Sequence, residues 1–546
     1  MDAFPGNNQI ISKSERRWVW FFAAVVMATT LLPYLIAFSR QGADWRFTGF
    51  LFGAEDGNSY IAKMLSGANG SWLYRTPYTA YQQSGFILHF PFFLLGKLAA
   101  QPANHEQLTA LYTLYRMAAG LLMIFATYDF IAIFLKDVLW RRWATVLAIL
   151  GGGLGWISLA GLQDWFMWGV PLEFYSPESF GFLSTYGLPH MATARALLLW
   201  GLRDFLVYST ALPFTKIWPR MLGIWIGLWL FQPIAMVVGV IVISIFLAVT
   251  WLRQMLEQQR QNPNPWPEWR NYFFRGVQII GISAPFVIYT FLSFKLDPAL
   301  KVWESQSVIA SPPPFDYLVG YGIVLPLALL GIRPLVRDLP WRGPLLAGWI
   351  LAAPLLAYAP FSSQRRLLEG IWVAMCILAV AWVATTSQQA RKLATRWLLL
   401  AFPTTLILFA AGTMFSMNPQ TPLYRPSDEV AAFKYLSREA HHGDVVIASY
   451  ETSNPLPAWA PVRTLIGHGP ESVNGEALQA RVQCFYSDCN DLDRLALIDE
   501  FSVRYIIWGP NEQNMGRWDP RMHSYLQPVY ASGNYAVFQV KPRSQP

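Results

Sequence analysis

The chain has 546 residues, of which 54% are hydrophobic and only 14% are charged, and its mean hydropathy is +0.30. A soluble protein carries roughly a quarter charged residues, so this composition excludes an ordinary soluble protein. The net charge of +8 does not indicate a nucleic-acid partner, because Lys and Arg of membrane proteins collect in cytoplasmic loops. We therefore expect a polytopic membrane protein whose main partner is the lipid bilayer, with no nucleic acid bound.

The first apolar segment, residues 18–38, is uncharged and long enough to cross about 30 Å of hydrocarbon. Lys13, Arg16 and Arg17 precede it and no convincing cleavage site follows, so we expect an uncleaved first helix with a cytoplasmic N-terminus. Further segments suitable for spanning recur to residue 415, at 84–100, 108–135, 143–161, 190–212, 218–250, 272–294, 316–332, 344–360, 370–388 and 397–415.

Two of these segments decide the topology. If every segment is one simple crossing, the basic loop 136–143 lies outside, against the positive-inside rule. If 84–100 is re-entrant and Pro233 splits 218–250 into two helices, that loop becomes cytoplasmic. We prefer the second solution; both give about eleven crossings and an outer C-terminus. The other loops expected in the cytoplasm are 252–270, 332–342 and 388–396, and the segments expected outside are 39–83, 162–189, 295–315 and 361–369.

The character of the chain changes near residue 420. Residues 425–440 are typical of an amphipathic helix that begins near Ser427 or Asp428. Further along, apolar runs typical of buried strands alternate with helical patterns. We predict a transmembrane domain over 1–415, including the outer loop 39–83, and a small α/β domain over 416–546. The predicted strands are 444–450, 503–509 and 534–540, and the predicted helices between them begin at Gly475 and Asp491.

The chain has three cysteines. Cys376 lies in an apolar segment and needs only a packing role. Cys484 and Cys489 lie in the polar C-terminal region, where a location outside the cytoplasm permits a disulfide. Two free thiols are the alternative.

The outer loop after the first helix carries paired acids, Glu55 and Asp56, in "GAEDGNSYIAKM". An ordinary solvated interfacial loop explains the acids alone. The loop continues, however, with "GSWLYRTPYTAYQQSGFILHFPFF" (70–93), in which aromatic residues alternate with cations and amides. Aromatic faces stack on sugars and amides bond hydroxyl groups, so this surface suits a sugar or a lipid headgroup. The candidate sugar- or acceptor-binding residues are Tyr60, Trp72, Tyr74, Arg75, Tyr78 and His89.

Cations elsewhere in the predicted outer segments are candidates for binding phosphate. Arg365 and Arg366 are disfavoured outside by the positive-inside rule, and arginine forks bind phosphate bidentately. A plain interfacial anchor is the alternative for this pair. His190 begins a predicted helix, where a local cap is the more common role. Arg195 lies inside an apolar segment, so we expect it to face a cavity or a partner.

Two further features leave a question open. The turn "GHGPESVN", with His468 and Glu471, is interpreted as structural, with contact to an acceptor as the alternative. The acids Asp164, Glu173 and Glu178 precede His190. One of them could bind a divalent metal ion together with Asp56, and this ion is the one cofactor that we leave open.

The order of these pieces resembles that of the GT-C-fold glycosyltransferases, which use polyprenyl-phosphate-linked sugars and include protein mannosyltransferases and the aminoarabinose transferase of lipid A. The first helix, the outer loop with its acidic pair, the many helices and the C-terminal domain all match this pattern. More narrowly, the chain resembles loosely annotated bacterial members, in the pieces "EDGNSYIAKM", "GGGLGWIS", "PHMATA", "SPPPFDYLVGYGIVLPLALLG", "FSSQRRLLEG" and "IGHGPESVN".

The resemblance implies a multi-pass protein of the bacterial inner membrane that transfers a sugar from a polyprenyl-phosphate donor to an unidentified acceptor outside the cytoplasm. It also implies that an acid in the first outer loop acts as the catalytic base or orients the acceptor. The matching residue is Asp56, and Glu55 is the competing choice. A non-enzymatic protein, either a transporter or flippase or an assembly scaffold, is the alternative function.

Overall fold

The computed structural model describes residues 11–167, 169–258 and 266–542. It is mostly helical, as predicted. Part of the predicted cytoplasmic loop 252–270 lies outside the described residues. The helices of eight residues or more are Lys13–Ser39, Ala54–Ala68, His105–Ala132, Val138–Leu150, Pro189–Ala211, Phe214–Phe231, Pro233–Gln258, Trp266–Leu296, Pro298–Gln306, Pro314–Tyr321, Val324–Asp338, Gly343–Ala357, Ile371–Thr385, Gln388–Leu398, Pro403–Met417, Ser427–Glu439, Gly475–Tyr486 and Asp491–Phe501.

Within the described residues, six helices are long and apolar enough to cross a membrane, and a seventh span results if one bent pair is counted. The pair consists of Pro314–Tyr321 and Val324–Asp338, which meet at 77°. The polytopic α-helical fold is therefore confirmed, whereas the count of about eleven crossings stays a prediction. The six spans are Lys13–Ser39, His105–Ala132, Pro233–Leu256, Pro267–Leu296, Gln364–Thr385 and Gln388–Met417.

The two segments that decide the topology have the expected local structure. Segment 84–100 contains one helix of only seven residues, Phe90–Gly96, which extends about 10 Å and is too short to cross. Segment 218–250 is broken at Gln232, since one helix ends at Phe231 and the next begins at Pro233. Proline at the first helical position is stable because its missing N–H has no partner there.

The chain divides into two compact units. The first contains residues 1–31, 115–291 and 309–411, and the second contains residues 32–114, 292–308 and 412–546. The predicted domains 1–415 and 416–546 stay a prediction beside this division.

The first unit has an apolar core in which two helices, Val324–Asp338 and Ile371–Thr385, pack closely. A side chain at Gly331 would place its Cβ 2.0 Å from the backbone oxygen of Leu378, so only glycine permits this approach. Trp372 is fully buried in the same region and donates its indole N–H to the Leu147 carbonyl at 3.1 Å. Buried Trp side chains normally find such a partner.

The second unit contains the strands of the structure. The strands are β1 (Trp45–Phe47), β2 (Tyr424–Pro426), β3 (Val445–Ile447), β4 (Arg463–Thr464), β5 (Val503–Trp508), β6 (Leu526–Ser532) and β7 (Tyr535–Val540). Five of them form a sheet of order β4-β3-β5-β7-β6. Strand β3 is parallel to β4 and β5, whereas β7 is antiparallel to β5 and β6. The small α/β domain is confirmed, and β3, β5 and β7 lie within the predicted strands.

A local disulfide and a further strand pair occur in this unit. Cys484 and Cys489 form a disulfide, which resolves the alternative left open by the sequence. Strand β1 of the loop after the first helix pairs antiparallel with β2, which leads into the C-terminal sheet domain. This pairing fixes the loop to the C-terminal domain and so positions the acidic pair beside it.

Candidate functional site

The acidic pair lies in the first turn of the helix Ala54–Ala68. Gly53 precedes this helix with a φ of 58°, a left-handed conformation that glycine adopts without strain. Gly57 lets the helix approach Phe50, whose ring would meet a Cβ at 2.3 Å. Two carboxylates at a helix N-terminus are favoured by the helix dipole. Local sequence therefore places both acids at one end of a helix without strain.

A segment of the C-terminal domain, residues 450–471, contacts both acids. His468 Nε2 lies 3.0 Å from Asp56 Oδ1. The Tyr450 hydroxyl donates to Glu55 Oε1, and the Gly469 N–H donates to the same oxygen at 3.2 Å. The Asp56 side chain nevertheless stays 60% exposed, whereas the His468 side chain is 6% exposed. The arrangement holds an accessible carboxylate with a buried imidazole.

Behind His468, the carboxylate of Glu471 is buried and accepts several hydrogen bonds. Lys63 Nζ lies 2.6 Å from its Oε1, the Ser59 hydroxyl donates to the same atom at 2.8 Å, and the Thr76 hydroxyl donates to Oε2 at 2.7 Å. The His468 ring lies 3.7 Å away on the same side. We call Glu55, Asp56, Lys63, His468 and Glu471 the acid–histidine cluster.

The charges of the acid–histidine cluster set its protonation. Burial alone would raise the pKa of Glu471, but the charges of Lys63 and His468 hold it well below its ordinary value. Burial lowers the pKa of His468, but Glu471 and Asp56 outweigh it and raise that pKa above its ordinary value. The imidazolium form of His468 is therefore stabilised beside the Asp56 carboxylate.

Asn58 and Asn454 form a further bond between the helix Ala54–Ala68 and the C-terminal domain. The Asn58 amide donates to Asn454 Oδ1 at 2.8 Å, and the Tyr78 hydroxyl donates to the Asn454 backbone oxygen at 2.9 Å. The Tyr78 ring lies against His468, with ring centroids 5.5 Å apart. These bonds fix the imidazole relative to Asp56.

The predicted sugar-binding residues occupy different environments. Tyr74 and Tyr78 are buried, which leaves their ring faces little access to a ligand. Tyr60 stacks on Phe92 with centroids 4.6 Å apart. His89 has a φ of 51° and lies beside Tyr74. Their binding roles stay predictions.

Trp72 and Arg75 are the exposed members of the predicted set. The Lys97 ammonium lies 4.1 Å from the centre of the Trp72 ring, a cation–π contact. Arg75 Nε donates to the Gln83 carbonyl at 3.4 Å. Both side chains keep surface available for a ligand.

The predicted phosphate-binding cations belong to the first unit. Arg195 is fully buried, and its Nε lies 2.7 Å from Glu369, which confirms that it faces a partner. Arg365 pairs with Glu178, and its guanidinium lies 4.8 Å from the centre of the Tyr175 ring. We call Glu178, Arg195, Arg365 and Glu369 the arginine–acid cluster.

Arg366 and His190 are the remaining predicted cations. Arg366 is half-buried and has no ion pair with a carboxylate in the part of the chain that the structure describes. His190 is half-buried in the first turn of Pro189–Ala211. The phosphate-binding roles of these four cations stay predictions.

The sequence leaves open a divalent metal ion held by Asp56 and one of the acids Asp164, Glu173 and Glu178. Within residues 11–167, 169–258 and 266–542, no group of three or more His, Cys, Asp or Glu side chains is arranged to hold a metal ion. Glu173 and Glu178 have other partners, since Glu173 accepts from the Gly155 N–H at 2.6 Å and Glu178 from the Ser176 hydroxyl at 2.8 Å.

Sequence reasoning missed the importance of three residues. Lys63 stands in the quoted loop stretch, but nothing in the sequence shows that it is buried against an acid. His468 and Glu471 were interpreted as parts of a structural turn, whereas the structure brings them to the acidic pair. Their polar side chains in an otherwise glycine-rich turn were the only available signal.

No protein-family model matches the chain, and a comparison with curated proteins also gives no match. Several solved structures are similar to it, among them structures of ArnT and AglB. The apo structure of ArnT from Cupriavidus metallidurans has a TM-score of 0.52 at 12% identity, covering 97% of this chain and 100% of that chain. AglB, the oligosaccharyltransferase of Archaeoglobus fulgidus, in complex with an inhibitory peptide and a dolichol-phosphate, has a TM-score of 0.51 at 12% identity. That match covers 91% of this chain and 70% of AglB.

The chain has the GT-C fold. Both solved structures have this fold, and the match to ArnT runs over nearly the full length of both chains. The expectation drawn from the resemblance is confirmed for the fold. Identities of 12% establish the architecture alone, because the chemistry of a fold depends on the residues of its site.

Proposed function

We propose that the chain is a membrane glycosyltransferase that moves a sugar from a polyprenyl-phosphate-linked donor to an acceptor outside the cytoplasm. The observation that carries this proposal is the Asp56 carboxylate, which is 60% exposed while the buried His468 lies 3.0 Å from it. The fold supports it, since AglB is an oligosaccharyltransferase and was solved with a dolichol-phosphate. An accessible acid held by a buried polar cluster is suited to take a proton from a substrate.

In the proposed reaction, Asp56 accepts the proton of an acceptor hydroxyl as its oxygen attacks the anomeric carbon of the donor sugar. A bond forms between that oxygen and the anomeric carbon. The bond between the anomeric carbon and the phosphate oxygen breaks, and the lipid phosphate leaves with the electron pair. A single displacement of this kind inverts the anomeric configuration.

His468 is a positioning residue in this scheme. Its hydrogen bond orients the Asp56 carboxylate, and Glu471 and Lys63 hold the imidazole in place from behind. Asp56 is preferred over Glu55 because Glu55 Oε1 is already bonded by Tyr450 and Gly469.

The charge that develops on a leaving phosphate is stabilised by cations. Arg366 is our first candidate for binding the phosphate because it has no ion pair with a described carboxylate. Arg195 and Arg365 are already neutralised by Glu369 and Glu178.

The proposed location is a bacterial inner membrane, with the N-terminus in the cytoplasm and the C-terminal domain outside. Lys13, Arg16 and Arg17 at the start of the first helix support this orientation. The disulfide between Cys484 and Cys489 supports an oxidising compartment for the C-terminal domain.

The proposal is tested with purified protein in liposomes that contain a polyprenyl-phosphate hexose, with envelope extract as the source of acceptor. The wild-type protein should release polyprenyl phosphate and label the extract. Asp56→Asn should reduce the rate about 10²–10⁴-fold, the range typical of a general base. A wild-type protein that releases no lipid phosphate but moves the intact donor across the bilayer would favour the transporter alternative.

A further inference from the structure

The second unit contains a cavity of about 460 Å³, and Asp56 is not among its lining residues. It is lined by the later part of the helix Ala54–Ala68, by residues 71–83 and by residues 442–463 of the C-terminal domain. Its volume falls within the range of about 300–1,000 Å³ that is typical of small-molecule sites.

The charged residues that line this cavity are of one sign. Arg75 and Arg463 both line it, and His442 stands beside them, but none of its lining residues is an acid. Burial lowers the pKa of Arg463, against the opposing charge of Asp444. Within the described residues, neither arginine forms an ion pair with a carboxylate. Arg463 donates to the Gly443 and Ala80 carbonyls, and Arg75 donates to the Gln83 carbonyl. Two guanidinium groups at one cavity without an acid favour an anionic ligand.

The remaining lining suits a sugar. Gln82, Gln83, Ser66, Ser71 and Thr76 supply amide and hydroxyl groups that can bond hydroxyls. The cavity also has apolar walls, among them Leu73 and Phe93, which suit the C–H faces of a sugar ring.

One polar chain connects this cavity with the acid–histidine cluster. The Gln83 amide is held by the backbone of Thr76, with bonds of 2.8 and 2.9 Å. The Thr76 hydroxyl donates to Glu471 at 2.7 Å, and Glu471 lies 3.7 Å from His468. A ligand in the cavity would therefore contact residues that also support Asp56.

We propose that this cavity binds an anionic sugar, one that carries a carboxylate or a phosphate, as part of the acceptor. The role of this sugar as an acceptor rests on the proposed function, whereas its binding to the cavity requires no turnover. Arg75 and Arg463 contact the anionic group, and Gln83 and the neighbouring hydroxyls contact the ring hydroxyls.

The test is isothermal titration of the full-length protein in detergent with glucuronate, glucose 6-phosphate, glucose and inorganic phosphate. At least one of the two anionic sugars should bind 10-fold or more tightly than both glucose and inorganic phosphate. Arg75→Gln should weaken that binding at least 10-fold without lowering the melting temperature, because Arg75 is exposed. Arg517→Gln, an exposed arginine of the same unit that does not line the cavity, is the matched control and should bind as wild type does.

Four results would overturn the proposal: no binding, equal binding of glucose, equal binding of inorganic phosphate, or unchanged binding by Arg75→Gln. The same titration with Asp56→Asn separates this proposal from the proposed function. Unchanged sugar binding by Asp56→Asn supports the cavity whatever the transfer rate is. Loss of binding in that variant would place the sugar at the acid and overturn the cavity as its site.

Discussion

The acid–histidine cluster and the arginine–acid cluster are both networks of paired charges, but they differ in exposure. In the arginine–acid cluster, Arg195 and Glu369 are fully buried and compensate each other. In the acid–histidine cluster, Lys63 and Glu471 are buried in the same way, but this network also includes Asp56, which remains 60% exposed. Breaking a buried pair in either network leaves a charge uncompensated, and the acid–histidine cluster also presents an accessible carboxylate for chemistry.

The largest expected effects on stability come from breaking the buried pair in either cluster. Glu369→Gln and Glu471→Gln each leave a buried cation uncompensated, so each should lower the free energy of unfolding by about 3–5 kcal/mol. Thermal unfolding of the purified variants measures this. The double change Lys63→Met with Glu471→Gln should recover part of the loss, and a double variant no more stable than Glu471→Gln would contradict the pairing.

A smaller effect on stability is the pH dependence expected of the acid–histidine cluster. Because the folded-state pKa of His468 is raised, its contribution to stability is fully present below pH 6.5 and is lost as pH rises through the folded-state value. Wild-type protein should therefore lose more stability between pH 6 and pH 9 than His468→Gln does. Unfolding by denaturant at several pH values measures the difference, and parallel curves for the two proteins would refute the charged pair.

The smallest effect is expected at the edge of the acid–histidine cluster. Tyr450→Phe removes the hydroxyl that donates to Glu55, a partly exposed bond, so it should cost about 0.5–1.5 kcal/mol. Denaturant unfolding checks this value. Since Glu55 is not the proposed base, the transfer rate of this variant should stay close to that of wild type. A large loss of rate would mean that Glu55 takes part in the reaction.

The sequence predicted much of this fold and less of its site. Strands β3 and β5 were predictable because each is mainly a run of β-branched and aromatic residues, and β7 because its residues alternate in polarity. The break before Pro233 followed from proline chemistry. Strand β4 has only two residues and β6 carries mixed polarity, so neither stands out in the sequence. The helix count was not settled, because several apolar segments form helices shorter than a membrane requires.

The acids of the site were found from the sequence, but their partners were not. His468 contacts Asp56 across 412 residues of chain, and a pattern within a short window carries no information about such a contact. Lys63 was overlooked because it stands among apolar residues in a helix, where a lysine is usually solvated. Its burial depends on Glu471, which is 408 residues away.

The most direct test of the central claim compares Asp56→Asn with Glu55→Gln in the same liposome assay, at equal amounts of folded protein. Both variants neutralise one acid in the same helical turn, so they share their effect on local charge. The account predicts that Asp56→Asn loses about 10²–10⁴-fold in transfer rate, while Glu55→Gln keeps most of it. Full activity of Asp56→Asn would contradict the account.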